Sequence, residues 1–204
     1  MLALDHIVVA APSLAEGVEY VRDLTGIEMP FGGEHPLMGT HNHLIRLGLD
    51  GFLEVIAVNP DAPPPDRPRW FGLDEAVAAP RLTHWVVRTP DMAALRPRLP
   101  PDHGPAIPVT RGDLSWLLTV PEDGTLPMDG MLPSVIEWQS DPLPPTRMTG
   151  AGAALTEWTV THPEAARIEE TLAPFLHDPR IRFMPGRASL EARLTVNGRD
   201  VILR

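Results

Sequence analysis

One short pattern occurs three times in the chain, and its repetition limits the folds that the chain can adopt. Residues 4–15 read LDHIVVAAPSLA, residues 82–93 read LTHWVVRTPDMA, and residues 155–166 read LTEWTVTHPEAA. The copies align without gaps at offsets of 78 and 73 residues. Self-similarity at this scale is typical of one supersecondary unit that is used several times. We therefore predict three related units within the 204 residues.

Each copy begins with a β-branched, apolar run and continues into a proline that can open a helix. After the first copy, the stretch SLAEGVEYVRDLTG has a helical pattern and ends at Gly26. Further strand-like runs follow, such as HNHLIRLGL and FLEVIAV in the first unit. The pattern predicts the order βαβββ in each unit. The expected fold class is α+β, with curved mixed sheets around a cleft and a compact third unit at the C-terminus.

Proline-rich segments divide the chain between these units. The 25 prolines concentrate in a few stretches, such as NPDAPPPDRPRW and DPLPPTRM. Proline is excluded from helix interiors and central strands, so these stretches are predicted to be stiff connectors. The predicted modules are 1–60, 80–140 and 150–204, with linkers at 61–79 and 141–149. The first two modules are expected to pair around the cleft.

The composition argues against several kinds of partner. The formal net charge is -10, and all 17 basic residues are arginines that are scattered along the chain. Nucleic acids and anionic membrane surfaces require clustered basic residues, so neither is expected as a partner. The chain has no cysteine, which rules out disulfides and thiolate ligands. No apolar run is long enough for a transmembrane helix, and we expect a cytoplasmic protein.

Four polar residues interrupt apolar strands at corresponding places in the first two units. His6 and His84 lie in the first strand of their units, and Glu54 and Glu137 lie in the last. If the units pair about a pseudo-twofold axis, these side chains converge on one point. Two imidazoles and one or two carboxylates suit Zn, Fe(II), Mn, Ni or Co. The alternative is a histidine satisfied in the core and a glutamate solvated at a strand end.

The third copy serves as an internal comparison for this metal site. Glu157 takes the place of the histidine, and Leu203 lies near the expected position of the carboxylate. The third unit is therefore expected to contribute packing rather than chemistry.

A second concentration of polar residues lies in the segment GTHNH, residues 39–43. We expect Thr40, His41 or Asn42 to reach the cleft and bind substrate, with Arg46 or Arg111 available for a carboxylate. The alternative is a strand with one solvated face. The segment 121–133 is rich in Gly, Pro and Met, and is either a lid over the cleft or a long connection.

The repeat and its polar positions resemble the vicinal oxygen chelate superfamily, and more narrowly its glyoxalase-like branch. The segments that carry the resemblance are LDHIVV, LEVI, LTHWVV and VIEW, together with MGTHNHLIRLG and RGDLSW. The resemblance implies metal ligation by His6, Glu54, His84 and Glu137 in the manner of glyoxalase I. In the manner of extradiol dioxygenases, the ligands would be His6, His84 and Glu137 alone.

This resemblance implies a divalent-metal-dependent lyase or isomerase that acts on a small oxygenated molecule. In such an enzyme the metal is a Lewis acid, and Glu137 or Glu54 is the general base. One alternative is an extradiol-type dioxygenase with Fe(II). Another is a non-catalytic protein that binds a small molecule on the same scaffold. The superfamily builds its clefts within one chain or across a homodimer, so both assemblies are compatible with the sequence.

Overall fold

The computed structural model describes all residues 1–204 and contains three successive sets of strands and helices. The first unit consists of β1 (Ala3–Ala10), α1 (Leu14–Thr25), β2 (Phe31–His35), β3 (Thr40–Leu47) and β4 (Gly51–Val58). The second consists of β5 (Arg81–Arg88), the single turn α2 (Met92–Leu95), β6 (Ala106–Arg111), β7 (Leu114–Thr119) and β8 (Ser134–Trp138). After the short α3 (Pro144–Arg147), the third consists of β9 (Ala153–Thr161), α4 (Ala165–Leu172), β10 (Ile181–Met184), β11 (Ser189–Val196) and β12 (Arg199–Leu203).

The first two units form one eight-stranded mixed sheet with the order β2-β3-β4-β1-β5-β8-β7-β6. The antiparallel pair β1 and β5 joins the two halves at the centre, with Ile7 opposite Trp85. Within each half the first strand runs parallel to the last, β1 beside β4 and β5 beside β8. The predicted α+β fold of repeated βαβββ modules is confirmed.

The third unit forms a separate four-stranded sheet with the order β10-β9-β11-β12. One face of this sheet packs behind the eight-stranded sheet, and Trp158 meets Trp85 with ring centroids 6.1 Å apart. Its other face carries charged pairs, among them Glu157 with Arg182 at 2.6 Å. The position that matches His6 in the repeat therefore points away from both sheets' shared core, in an ion pair at the surface.

Helix α1 is defined at both ends by its sequence. The Ser13 hydroxyl accepts a hydrogen bond from the Glu16 N–H, as an N-cap does, and Gly26 ends the helix with φ 72°. The helix packs closely on β4, and Gly17 allows this approach. A Cβ atom at this position would lie 2.4 Å from Val55 Cγ1. None of the helices is long and apolar enough to cross a membrane.

Alternate residues of the central strands serve two different apolar cores. On β1 and β5, Ile7, Val9, Trp85 and Val87 face the core between the two sheets. On the same strands, Val8 and Val86 face a second core on the concave side of the eight-stranded sheet. This alternation decides which polar residues can reach the cleft.

The segments between the units also contribute to packing. Trp70 and Phe71 lie in the stretch 61–79 that was predicted as a linker, and both are buried in the concave core. In the stretch 121–133, Met131 and Leu132 lie in the core between the sheets. None of the residues 121–133 lines the concave cleft, so this segment is a connection rather than a lid.

The Trp85–Trp158 contact predicts a large effect on stability. Both indoles are fully buried, so Trp158→Ala should lower the free energy of unfolding by about 3–5 kcal/mol through a lost contact and a cavity. Thr195→Ala, on the polar face of the same sheet, should cost less than about 1 kcal/mol. Urea unfolding of the two variants checks this. Equal decreases in the free energy of unfolding would contradict the prediction that the Trp85–Trp158 contact stabilises the packing of the two sheets.

Candidate functional site

The concave face of the eight-stranded sheet forms a narrow cleft with a cavity volume of about 30 Å³. Its polar lining residues are His6, His35, Asn42, Glu54 and Arg111. Its aromatic lining residues are Phe52, Trp70, Phe71, Trp116 and Trp138. A mostly apolar cleft with a few convergent polar groups is the usual form of a small-molecule site. We refer to it as the central cleft.

The two units contribute different chemistry to the central cleft. Four of its five polar residues come from the first unit, on strands β1 to β4. The second unit supplies Arg111 from β6 and apolar or aromatic residues, including Trp116 and Trp138. The site is thus asymmetric although the sheet around it is built from repeated units.

A chain of hydrogen bonds connects Arg111 to Glu54. Arg111 Nη1 donates to Asn42 Oδ1 at 3.1 Å and lies 3.2 Å from His35 Nε2. Because the oxygen of Asn42 faces the guanidinium, its Nδ2 faces Glu54 and donates to Oε1 at 2.6 Å. The arrangement fixes the orientation of the Asn42 amide and orders one oxygen of the glutamate.

His35 is held in its neutral form. Burial, together with a smaller contribution from the neighbouring charge of Arg111, lowers the pKa of His35 to about 3. The neutral ring can accept from Arg111 at Nε2, so its proton is on Nδ1 and is donated to Thr40 Oγ1 at 3.0 Å. Burial also lowers the pKa of Arg111, while the nearby Glu54 opposes that shift.

Asp5 orients His6 towards Glu54. The strand pairing is irregular between Leu4 and His6, and Asp5 lies at this irregularity with its carboxylate buried. His6 Nδ1 donates to Asp5 Oδ1 at 2.7 Å, and Trp138 Nε1 donates to Asp5 Oδ2 at 3.0 Å. His6 Nε2 is then left facing Glu54 Oε2 at 3.6 Å, which is too long for a hydrogen bond.

Two glycines of β2 allow this cluster to form. A Cβ atom at Gly32 would lie 2.3 Å from Asn42 Oδ1, and one at Gly33 would lie 2.8 Å from Arg111 Cδ. Gly33 also has φ 143°, which residues with a side chain rarely adopt. The glycines therefore leave the space that the Asn42 and Arg111 side chains occupy.

The structure does not bring His84 into the polar cluster. His84 is fully buried, and its Nε2 accepts from the Ser134 N–H at 3.1 Å and lies 2.9 Å from the Ser134 hydroxyl. Its ring packs against the ring of Phe71, and the two centroids are 4.9 Å apart. Burial lowers the pKa of His84 to about 3. It occupies the position that corresponds to His6, but as a neutral residue of the core.

Glu137 lies on the opposite face of the sheet, which corrects its predicted place beside His6. Its neighbours Ile136 and Trp138 line the central cleft, so the side chain between them points away. Glu137 Oε2 instead accepts from the Met92 N–H at the start of α2. The sequence comparison matched the two glutamates by residue type and missed that Glu137 lies three residues beyond the position that corresponds to Glu54, which puts its side chain on the other face of the strand.

The strand register identifies the true counterpart of Glu54. Val8 pairs with Glu54 across β1 and β4, and Val86 pairs with Ser134 across β5 and β8. Ser134 therefore takes the position of the second carboxylate.

The residues predicted to bind substrate fall into different places. Asn42 and Arg111 line the central cleft, whereas Thr40 supports it from behind through His35. His41 is on the other face of β3, because neighbouring residues of a strand alternate. Arg46 lies farther along β3, in a groove beside the cleft.

Sequence reasoning missed several residues that shape the site. These are Asp5, His35, Trp70, Phe71, Trp116 and Trp138. The aromatic residues stood in stretches assigned to linkers or ordinary strands. Asp5 carried a usable signal, since it is a carboxylate beside a strand histidine in an otherwise apolar run.

The predicted metal centre of three or four protein ligands does not fit these residues. His6 Nε2 and Glu54 Oε2 face each other, but His84 is engaged with Ser134 and Glu137 is on the far face. No group of three or more histidine, aspartate or glutamate side chains is arranged to hold a metal ion. A catalytic centre ordinarily needs three protein ligands, and two donors are present.

Comparisons with known proteins support the fold. A family model described as a glyoxalase-like domain matches residues 4–176. A hypothetical protein from Staphylococcus aureus is similar in structure, with a TM-score of 0.60 at 15% identity, over 99% of this chain and 84% of that one. A methylmalonyl-CoA epimerase from Mycobacterium tuberculosis has a TM-score of 0.45 at 16% identity, over 68% and 88%. A search of the curated proteins returned no match.

The neutral state of His35 predicts a specific pH dependence of stability. A pKa of about 3 in the folded state lies below the ordinary 6.5, so the unfolded chain binds the extra proton first and stability falls as pH drops below 6.5. When the pH is lowered from 7.5 to 5, His35 should reduce the free energy of unfolding by about 2 kcal/mol. His35→Gln keeps an acceptor and a donor and should lack this component. Urea unfolding at both pH values measures it, and an unchanged pH dependence in the variant would contradict a neutral His35.

Proposed function

Because the chain belongs to the glyoxalase-like domain family, we propose that it is an enzyme that transfers a proton on a small, oxygenated and acidic substrate. The substrate binds in the central cleft, and the reaction is of the lyase or isomerase type. The observation that carries the proposal is the pair His6 and Glu54, two buried groups that face each other at 3.6 Å without a hydrogen bond.

Glu54 has the features of a general base. Asn42 holds one carboxylate oxygen at 2.6 Å, which leaves the other oxygen directed towards His6 and the space of the cleft. A base needs a fixed position within reach of the substrate proton. Glu54 would remove a proton from a carbon beside a carbonyl group, and the electrons of that C–H bond would move onto the carbonyl oxygen.

Arg111 would stabilise the negative charge that this step creates. It has no carboxylate oxygen within 4.0 Å, and its hydrogen bonds go to the uncharged His35 and Asn42. A half-buried guanidinium that is hydrogen-bonded only to neutral groups remains available for an anionic oxygen. A carboxylate of the substrate or an enolate oxygen suits it.

His6 would accept the proton from Glu54 at Nε2 and then return it to the substrate. Asp5 holds its Nδ1, so Nε2 is the atom that faces the cleft and exchanges protons. Phe52 stacks on the ring at 4.3 Å and limits its movement. With Glu54 and His6 on adjacent strands, a proton taken from one substrate atom can be delivered to its neighbour.

The alternatives are supported less well by the geometry. A divalent ion between His6 and Glu54 would supply Lewis-acid chemistry, but it would have two protein ligands rather than the three or four expected. An extradiol dioxygenase would need His6, His84 and Glu137 around one iron, and these residues lie apart. A non-catalytic binding protein remains the main alternative, because the same aromatic cleft would bind a ligand without turnover.

Hydrogen exchange at carbon tests the proposed reaction. In D₂O, the protein should replace the C–H beside the carbonyl of its substrate with C–D, read by proton NMR on a panel of small 2-oxo and 2-hydroxy acids. Glu54→Gln should lower the exchange rate about 100-fold or more, since it removes the base. Glu137→Gln is the matched control and should keep the wild-type rate.

Exchange that survives in Glu54→Gln would overturn the role of the glutamate. Tight binding of a panel member with no exchange in the wild type would favour the non-catalytic alternative.

Metal binding is tested with the same pair of variants. Any divalent ion that the chain retains after loading with Zn²⁺ or Mn²⁺ and dialysis should depend on Glu54 and His6. Glu54→Gln should lower the retained metal, while Glu137→Gln and His84→Ala should not, because neither residue reaches this position. Elemental analysis provides the measurement. Loss of the metal in Glu137→Gln or His84→Ala would restore the symmetric centre implied by the sequence.

A further inference from the structure

A second, larger space adjoins the central cleft. We name it the outer groove and define it by the residues Phe31, Leu44, Arg46, Arg111, Leu114 and Met148. It has a volume of about 490 Å³. Leu44 and Arg111 line both spaces. The two spaces therefore meet at Leu44 and Arg111.

Two arginines that line the outer groove have no carboxylate partner in contact. Arg46 and Arg111 have no carboxylate oxygen within 4.0 Å, whereas the nearby Arg147 is paired with Asp113. Glu28 is the acidic residue among the groove's lining residues, and it is exposed. The groove therefore has the charge that suits an anion.

Arg46 has unused hydrogen-bonding capacity. Its Nη2 donates to the Leu49 carbonyl at 3.1 Å, and its Nη1 makes a long contact of 3.5 Å with the Met148 carbonyl. Its Nε is buried and has no partner. A guanidinium that is held by backbone carbonyls and lacks an acidic partner is positioned for an anionic ligand.

Apolar side chains form part of the groove. Leu44, Leu114 and Met148 line it, and Phe31 at its edge is 56% exposed. An exposed aromatic ring at the rim of a groove is a common feature of binding surfaces. Apolar walls beside two free guanidinium groups fit an amphipathic anion better than a purely polar one.

We propose that the outer groove is a second subsite that binds the apolar and anionic distal part of the substrate. The substrate class is then an elongated acid, with an oxygenated end at Glu54 and a carboxylate or phosphate at Arg46. This inference rests on the proposed function for the identity of the first end. The argument for the groove itself depends on Arg46, and this residue takes no part in the proton transfer.

Calorimetric titration with hexyl phosphate, hexanol and inorganic phosphate tests the subsite, with hexanoate as the carboxylate arm. Hexyl phosphate or hexanoate should bind at least tenfold more tightly than hexanol, and inorganic phosphate should bind more weakly than hexyl phosphate. Arg46→Gln should weaken binding of the anionic probes about tenfold and leave hexanol unchanged. Arg182→Gln, on the distant third sheet, should have no effect.

A second variant keeps the test decisive if Arg46→Gln does not fold. Leu114→Glu places a carboxylate in the groove and should also weaken the anionic probes through repulsion. Glu54→Gln should retain their affinity, so loss of turnover in that variant with intact binding separates the two proposals.

Equal affinity for hexyl phosphate, hexanoate and hexanol would overturn the subsite. Conversion of a wild-type dimer to a monomer by Leu114→Glu would overturn it as well, because the occupant of the groove would then be a second copy of the chain.

Discussion

The alternation of side chains along the central strands is the constraint on which the structure depends. Each central strand has one row of side chains in the core between the two sheets and another row on the concave side. Because the period is two, a shift of one residue moves a side chain to the other core. Apolar residues fill both rows, so these strands can accommodate few polar residues. Those that occur at cleft-facing positions, such as His6 and Glu54, must be satisfied there.

Much of the fold was predictable from the sequence, because repetition and hydrophobic pattern are local signals. The repeated pattern predicted the βαβββ order and the compact third unit. Part of the candidate site was also predictable, since His6, Glu54, Asn42 and Arg111 do line one cleft. Recurring residue types could not show strand register. Glu137 resembles Glu54 in its local sequence, but it falls on the opposite face of its strand and caps a helical turn.

The remaining features depend on contacts between distant segments. His35, Trp70 and Trp116 meet only after β2, the segment between units and β7 have been brought together. No spacing along the chain encodes that meeting. His84 is a second example. The sequence around it matches the sequence around His6, but its contacts are made by Ser134 and Phe71, which the repeat does not predict. The two units thus share a backbone plan and differ in chemistry.

The Gly32–Gly33 pair has a consequence for how this site can change. The two positions contribute no functional group, yet they border the side chains of Asn42 and Arg111. An added methyl group at Gly33 would displace the Arg111 side chain, and one at Gly32 would displace the Asn42 amide together with the hydrogen bond that orders Glu54. Ligand preference and acid–base chemistry are therefore linked through the Asn42 amide, and the smallest residues beside the cleft have leverage over both.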